Sequence, residues 1–126
     1  MLTLRQFAPL ALASLLIAAA PSRQADTVVL VVRHAEKAGP SGDVPLSPAG
    51  EARARSLVGV GRDAGISAVL TTQFQRTRQT GAPLAESLGI TPEVMDVRGG
   101  VAEHAKGIAD AVRARHAGRT VLVVGH

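Results

Sequence analysis

The sequence predicts an α/β fold in which helices cover both faces of a mostly parallel sheet. Three apolar, β-branched runs, Val28–Val32, Ala68–Thr72 and Thr120–Val124, are typical of strands buried inside such a sheet. Segments with helical periodicity lie between these runs, and no long linker or internal repeat separates them. The alternation of strand and helix therefore predicts one three-layer αβα domain.

The helices are predicted from apolar residues that recur three and four positions apart. Ser47 and Pro48 suit the N-cap and the first position of a helix that should end near Gly65. The next helix contains Pro83, which should kink it or delay its regular part. A short strand at residues 91–96 and a third helix follow. The expected inward stripes of the three helices are Ala54, Leu57, Val58 and Gly61; Gly81, Leu84, Ala85 and Leu88; and Ala105, Ile108, Ala109 and Val112.

Residues suited to anion binding and proton transfer follow the ends of these strands. Arg33 and His34 come directly after the first strand, Arg76 lies shortly after the middle one, and His126 follows the last. The carboxyl ends of parallel strands meet at one edge of a sheet, where open α/β sheets bind their ligands. We therefore expect two histidines and two arginines at that edge.

Three motifs resemble those of the histidine phosphatase superfamily, the phosphoglycerate-mutase-like enzymes. The first is Arg33–Glu36, with Ala35 where many members have glycine, and the third is Gly125 with His126. The second, residues 71–80, is similar to the family's Ser-x-x-x-x-Arg-x-x-Gln-Thr segment. The resemblance spans residues 28–126. It implies a further helix and more strands, so the chain is expected to be truncated at its second catalytic histidine.

The resemblance implies a phosphatase that uses no metal or other cofactor and forms a phosphohistidine intermediate. His34 would be the nucleophile and His126 the second histidine of the pocket, while Arg33 and Arg76 would bind the phosphoryl oxygens. Arginine suits this role because its planar fork binds two oxygens and stays charged. Histidine attacks only when it is neutral. Arg78 could replace Arg76.

The proton donor for the leaving group stays open. Glu103 is the best candidate by its faint match to the family's Leu-x-Glu-x-x-x-Gly, and Asp96 is a weaker one. We prefer to interpret Glu103 as an exposed acid in the first turn of the helix, where the helix dipole favours a negative charge, and not as a proton donor. If neither residue serves, substrates with good leaving groups, such as phosphohistidine or acyl phosphates, are favoured. His104 and His116 are expected to face solvent.

Residues 35–46, rich in glycine and proline, are predicted to form a loop over the end of the first strand. We call this segment the access loop, because such loops shape substrate access. Glu36 and Lys37 either line the mouth of the pocket or form an ion pair of little energetic weight.

Three functions are compatible with this pattern. The leading hypothesis is a phosphatase acting on a phosphorylated small molecule or a phosphoprotein. The alternative is a non-catalytic phosphate-binding or regulatory domain of the same fold. A mutase is less favoured, because the amino-terminal segment indicates export away from glycolysis.

Residues 1–25 resemble a secretory signal peptide, which leaves residues 26–126 as the phosphatase domain. The apolar run Phe7–Ala20 is shorter than the roughly 20 residues of a bilayer span. A periplasmic or secreted protein with no membrane span after leader removal is expected, with cleavage within residues 21–26. The alternative is an uncleaved amino-terminal anchor.

Composition excludes several other classes. The chain has no cysteine, so it forms no disulfides and has no thiol nucleophile. Without Arg5 and Arg23 the 14 basic residues become 12, against 10 acidic ones, so no strongly basic surface for nucleic acid is expected. Phe74 is the only aromatic residue after the leader, and base-stacking platforms are therefore missing.

Overall fold

The computed structural model describes residues 24–126, so almost all of the predicted leader lies outside the described residues. The elements in chain order are β1 (Val28–Arg33), α1 (Pro48–Asp63), β2 (Ile66–Thr71), α2 (Gln75–Leu88), β3 (Glu93–Val94), α3 (Val101–Arg115) and β4 (Thr120–Gly125).

The four strands form one parallel sheet in the order β1-β4-β2-β3, which confirms the predicted fold class. In the register of β1 and β4, Arg33 lies opposite Gly125. The ladder continues one residue further, since the His34 amide donates to the Gly125 carbonyl at 2.9 Å. His34 and His126 therefore leave the sheet side by side.

Apolar residues on the two faces of the sheet form two separate clusters, which confirms the three-layer arrangement. On one face Val69 and Leu122 pack with Leu84 of α2, and α1 packs beside α2. On the other face Leu70 and Val121 pack with Val112 of α3. Alternate residues of each central strand thus face opposite helical layers.

The prediction that the first strand is buried on both faces is wrong. In the described residues β1 lies at the edge of the sheet and pairs only with β4. Val28, Val29 and Val31 are exposed, with 73% of Val31 accessible. An apolar run alone does not distinguish a central strand from an edge strand, because that depends on which elements pack against it.

The helix boundaries largely agree with the prediction. The Ser47 hydroxyl accepts a hydrogen bond from the Gly50 amide at 3.1 Å, as expected of an N-cap. Helix α2 includes Pro83 without interruption and ends at Gly89, which adopts the left-handed conformation. The predicted strand at 91–96 shortens to the two residues of β3. Ala105, predicted to face inward, is exposed.

His116 does not face solvent as predicted, because it joins the end of α3 to β3. Only 7% of the residue is exposed, and its Nε2 lies 2.6 Å from Glu93 Oε1. Arg115 donates to Glu93 Oε2 at 2.7 Å. Burial raises the pKa of Glu93, but the hydrogen bonds from Arg115 and His116 outweigh it, so this pKa lies below its usual range. His104, the other histidine predicted to face solvent, is half-buried.

Across residues 24–126, every helix is too short or too polar to cross a lipid bilayer.

Candidate active site

His34 and His126 meet at the carboxyl edge of the sheet, where the sequence predicts a site. Their ring centroids lie 5.6 Å apart, and the rings are inclined at 65°. Arg76 Nη2 approaches His126 Nδ1 to 3.3 Å. Arg33 is exposed and, with His34, lines an open cavity of about 420 Å³. The fold therefore brings His34, His126 and Arg76 together, and Arg33 lines the cavity beside His34.

The proton on the His34 ring is located by its hydrogen bond. His34 Nδ1 lies 2.7 Å from the carbonyl oxygen of Ala35. A carbonyl only accepts, so Nδ1 is the protonated nitrogen and donates. The lone pair of neutral His34 is consequently on Nε2, the nitrogen free to attack an electrophile.

Thr80 fixes the chain directly after His34. The Ala35 amide donates to Thr80 Oγ1 at 2.9 Å, and this buried hydroxyl donates to the carbonyl of Arg76 at 2.7 Å. The end of β1 is thereby tied to the first turns of α2. The Ala35 side chain is buried with Leu46 and Ala54, which explains how alanine fits where many family members have glycine.

A chain of hydrogen bonds orients His126. Arginine only donates, so His126 Nδ1 accepts from Arg76 and a neutral ring carries its proton on Nε2. Nε2 lies 3.1 Å from Thr72 Oγ1, which in turn lies 2.8 Å from Thr77 Oγ1. Thr77 donates to the carbonyl of Phe74 at 2.9 Å. The chain therefore supports the neutral form of His126.

The surroundings of His126 act in the same direction. Partial burial lowers its pKa, and the positive charge of Arg76 lowers it further. Because the ring is neutral, Nδ1 keeps the lone pair that accepts from Arg76.

Arg76 is held for anion binding more firmly than a surface arginine would be. Its side chain is 15% exposed, and the guanidinium carbon lies 4.6 Å from the centre of the Phe74 ring. Its buried Nε has no hydrogen-bond partner among residues 24–126. Arg78, the alternative considered from sequence, is exposed. The geometry therefore favours Arg76 over Arg78 as the anion ligand.

The two candidate proton donors make no hydrogen bond to this cluster in the described residues. Asp96 pairs with Arg98 at 3.0 Å, and Glu103 is an exposed residue in the first turn of α3. In the same part of the chain, no three His, Cys, Asp or Glu side chains are grouped as a metal ion would require.

Among residues 24–126, the side chains of Glu36 and Lys37 form hydrogen bonds to Arg53 and Pro40, and not to the two histidines. Glu36 accepts from Arg53 Nε at 2.8 and 2.9 Å through its two oxygens, and this bond lowers the pKa of Glu36. Lys37 Nζ donates to the carbonyl of Pro40 at 2.7 Å. Glu36 and Lys37 line the same open cavity as Arg33 and His34, as the first of the two interpretations predicts. The ion pair of Glu36 is with Arg53 of α1 and not with Lys37.

Sequence reasoning missed the hydroxyls that position the site and one carboxylate close to it. Thr72, Thr77 and Thr80 lie in or beside the second motif, so their presence there was a usable signal. Asp43, whose Oδ1 lies 3.9 Å from Arg76 Nη1, had no such signal, because 33 positions separate the two residues.

A sequence profile of the histidine phosphatase superfamily (branch 1) matches residues 29–97. The chain belongs to this superfamily. The matched region includes both His34 and Arg76, while His126 lies beyond it.

Several solved structures of phosphatases have the same fold as this chain. The SixA protein from Nakamurella multipartitia is 31% identical, with a TM-score of 0.60 over 78% of this chain and 58% of its own. A protein histidine phosphatase SixA complexed with tungstate is 22% identical, with a TM-score of 0.61 over 78% of this chain and 68% of its own. A mycobacterial glucosyl-3-phosphoglycerate phosphatase is 15% identical, with a TM-score of 0.64 over 76% of this chain and 72% of its own.

The present chain thus spans between about three fifths and three quarters of the length of these proteins. Comparison with curated protein sequences gives no match.

Proposed function

We propose that this chain is a metal-independent phosphatase that works through a phosphohistidine at His34. One observation carries the proposal: His34, its Nδ1 bonded to the Ala35 carbonyl, lies beside His126 and Arg76 at the carboxyl edge of the sheet. A phosphoryl group has charge on three oxygens during transfer, so its catalysis consists mainly of positioning and neutralisation. A histidine nucleophile beside a guanidinium that the fold holds in place supplies both.

The reaction has two steps. His34 Nε2 attacks phosphorus, an N–P bond forms, and the bond to the leaving group breaks with its electron pair on that group. Water then attacks the same phosphorus, the N–P bond breaks, and the electron pair returns to Nε2 as inorganic phosphate forms. One proton of the water stays on the phosphate, and the other passes through solvent to the leaving-group anion. Throughout, Nδ1 of His34 keeps its proton and its hydrogen bond to the Ala35 carbonyl. Arg33 and Arg76 bind the phosphoryl oxygens, and the Nε2–H of His126 exchanges Thr72 Oγ1 for one of them.

The preferred substrate is one whose leaving group needs no strong acid. Glu103 and Asp96, the two predicted donors, do not bond to the catalytic cluster. The leaving groups of phosphohistidine and of acyl phosphates, an imidazole and a carboxylate, depart without such an acid. The alkoxide that leaves an alkyl phosphate is a poor leaving group and must be protonated. A resemblance to SixA, a protein histidine phosphatase, supports a phosphohistidine-bearing protein as the substrate.

Trapping with ³²P-labelled phosphohistidine protein or acetyl phosphate tests the mechanism. The full chain should acquire an acid-labile label and release inorganic phosphate, and His34→Ala should do neither. Arg76→Ala should lower turnover by about 10²- to 10³-fold, the usual effect of removing a donor to transition-state charge. Arg78→Ala is the matched control on the same helix and should leave turnover unchanged. Label that persists in His34→Ala contradicts the proposal.

The second candidate function is a phosphate-binding domain without turnover. It is favoured by the lack of a carboxylate bonded to the two histidines in the described residues. Vanadate binding measured by calorimetry, with no release of phosphate from acetyl phosphate, would identify this function and exclude the first.

We further propose that the protein is exported, with residues 1–25 as its signal peptide. The apolar run Phe7–Ala20 and the small residues after it support this proposal. Expression of the full chain followed by amino-terminal sequencing should give a mature protein that starts within residues 21–26. Recovery of an intact amino terminus contradicts cleavage.

A further inference from the structure

We infer that Asp43 of the access loop is a positioning residue for Arg76, acting by capping the helix on which Arg76 lies. The inference rests on the proposed function, in which Arg76 binds the phosphoryl group. Asp43 belongs to none of the three motifs, and its role emerges only from where the loop lies.

The first turn of α2 has no cap of its own. Phe74 occupies the N-cap position and makes no side-chain hydrogen bond to the helix. The first amides of a helix lack partners within it and need an acceptor from elsewhere. Asp43 Oδ1 supplies one, accepting from the Gln75 amide at 2.8 Å. In return, Gln75 Nε2 donates to the Asp43 carbonyl at 2.8 Å.

The access loop is held in the position that this contact requires. Lys37 and Leu46 pair across its base in an antiparallel bridge, and the Ala38 amide donates to the Pro45 carbonyl at 2.8 Å. The Leu46 amide donates to Gln79 Oε1 of α2 at 2.7 Å. The loop is thus attached to α2 at Gln79 as well as at Gln75.

Arg76 directly follows the capped residue. Asp43 Oδ1 lies 3.9 Å from its Nη1, which makes Asp43 the carboxylate that pairs with Arg76 among residues 24–126. The other contacts of the guanidinium are with the Phe74 ring and with His126, which are not anions. Asp43 therefore fixes the start of the helix and faces the same guanidinium that a phosphate would bind.

Two substitutions separate the capping oxygen from the charge. Asp43→Asn keeps an oxygen that can accept from the Gln75 amide, whereas Asp43→Ala removes it. Glu86→Ala removes a carboxylate from the exposed surface near the other end of α2 and serves as the control for charge. Each variant is made in the full chain with Arg76 intact and again with Arg76→Ala.

The test is a double-mutant cycle on kcat/KM for acetyl phosphate. We expect Asp43→Ala to lower kcat/KM about tenfold with Arg76 present and less than twofold with Arg76→Ala, because its effect passes through that side chain. The kcat/KM of Asp43→Asn should stay within about threefold of that of the unsubstituted chain. The kcat/KM of Glu86→Ala should equal that of the unsubstituted chain. Non-additivity distinguishes positioning of Arg76 from general loss of structure.

Contrary outcomes are separable. The inference is overturned if Asp43→Ala lowers kcat/KM equally with Arg76 and with Arg76→Ala. It is also overturned if Asp43→Asn lowers kcat/KM as much as Asp43→Ala does. Neither result contradicts the phosphatase proposal. An unsubstituted chain that releases no phosphate sinks the proposed function and, with it, a role for Asp43 in positioning a catalytic arginine.

Discussion

Hydroxyl groups of threonine decide how the two histidines are presented. Thr80 bonds the amide that follows His34, and Thr72 lies against the ring of His126. Both hydroxyls are nearly inaccessible to solvent. Buried polar groups are costly when they lack partners, so these bonds restrict the site to one arrangement.

The Thr80 bond can be tested by replacing the hydroxyl with a methyl group. Thr80→Val keeps the shape of the side chain but leaves the amide of Ala35 without its acceptor. We expect unfolding free energy to fall by about 1–3 kcal/mol, the cost of an unsatisfied buried donor. We also expect kcat to fall about tenfold, because the residue beside the nucleophile is no longer fixed.

The measurements are urea unfolding and acetyl phosphate turnover. Thr91→Val, at an exposed position after α2, is the matched control and should change neither quantity. A Thr80→Val protein with unchanged kcat would show that the hydroxyl serves stability alone.

The start of α1 and the access loop pack so closely that one residue type is required between them. The Ser47 amide donates to the Glu36 carbonyl at 2.8 Å, and Gly50 lies directly against the Glu36 backbone. A Cβ atom at position 50 would overlap the Glu36 carbonyl oxygen. This contact explains why glycine occupies the position at which a capping box would have an acidic residue.

Two glycines of α1 should respond to alanine in opposite directions. Gly50→Ala should destabilise the fold by about 1–3 kcal/mol, because backbone atoms of the access loop must move. Gly59→Ala should stabilise it by about 0.5–1 kcal/mol, since alanine is the better helix former and a Cβ there meets no other atom. Thermal or urea unfolding measures both values. If Gly50→Ala were as stable as Gly59→Ala, the close approach would be contradicted.

The packing of the sheet as a whole determines how exposed each strand is. β4 has a strand on both sides, and its side chains lie beneath both helical layers. Among residues 24–126, β1 has one neighbouring strand, and it borders an apolar cleft of about 440 Å³ beside α3. Val31 and Val123 are partners in the ladder, yet 73% of Val31 and 5% of Val123 are exposed.

Substitution of threonine for these two valines measures that difference. Val123→Thr buries a hydroxyl and should lower the unfolding free energy by about 1–3 kcal/mol. Val31→Thr should change it by no more than about 0.5 kcal/mol, because water already reaches that side chain. Urea unfolding of the two variants provides the comparison. A large loss from Val31→Thr would contradict the edge position of β1.

Much of the fold could be predicted from local sequence, because local chemistry decides it. The apolar runs gave the strands, and the recurrence of apolar residues gave the helices and most of their inward faces. Ser47 marked the start of α1, and Gly65 marked its approximate end. Parallel strands meet at their carboxyl ends, so Arg33, His34, Arg76 and His126 could be placed at one edge before any coordinate was known.

Only the tertiary structure decided those features, such as burial and hydrogen bonding, that depend on contacts between residues far apart in the chain. It put β1 at an edge, buried His116 against Glu93, and brought Asp43 to the start of α2. It also fixed the tautomers of His34 and His126, because those follow from which acceptors and donors the fold brings to each ring. Burial and hydrogen bonding are properties of the assembled neighbourhood, whereas propensity and periodicity belong to the segment itself.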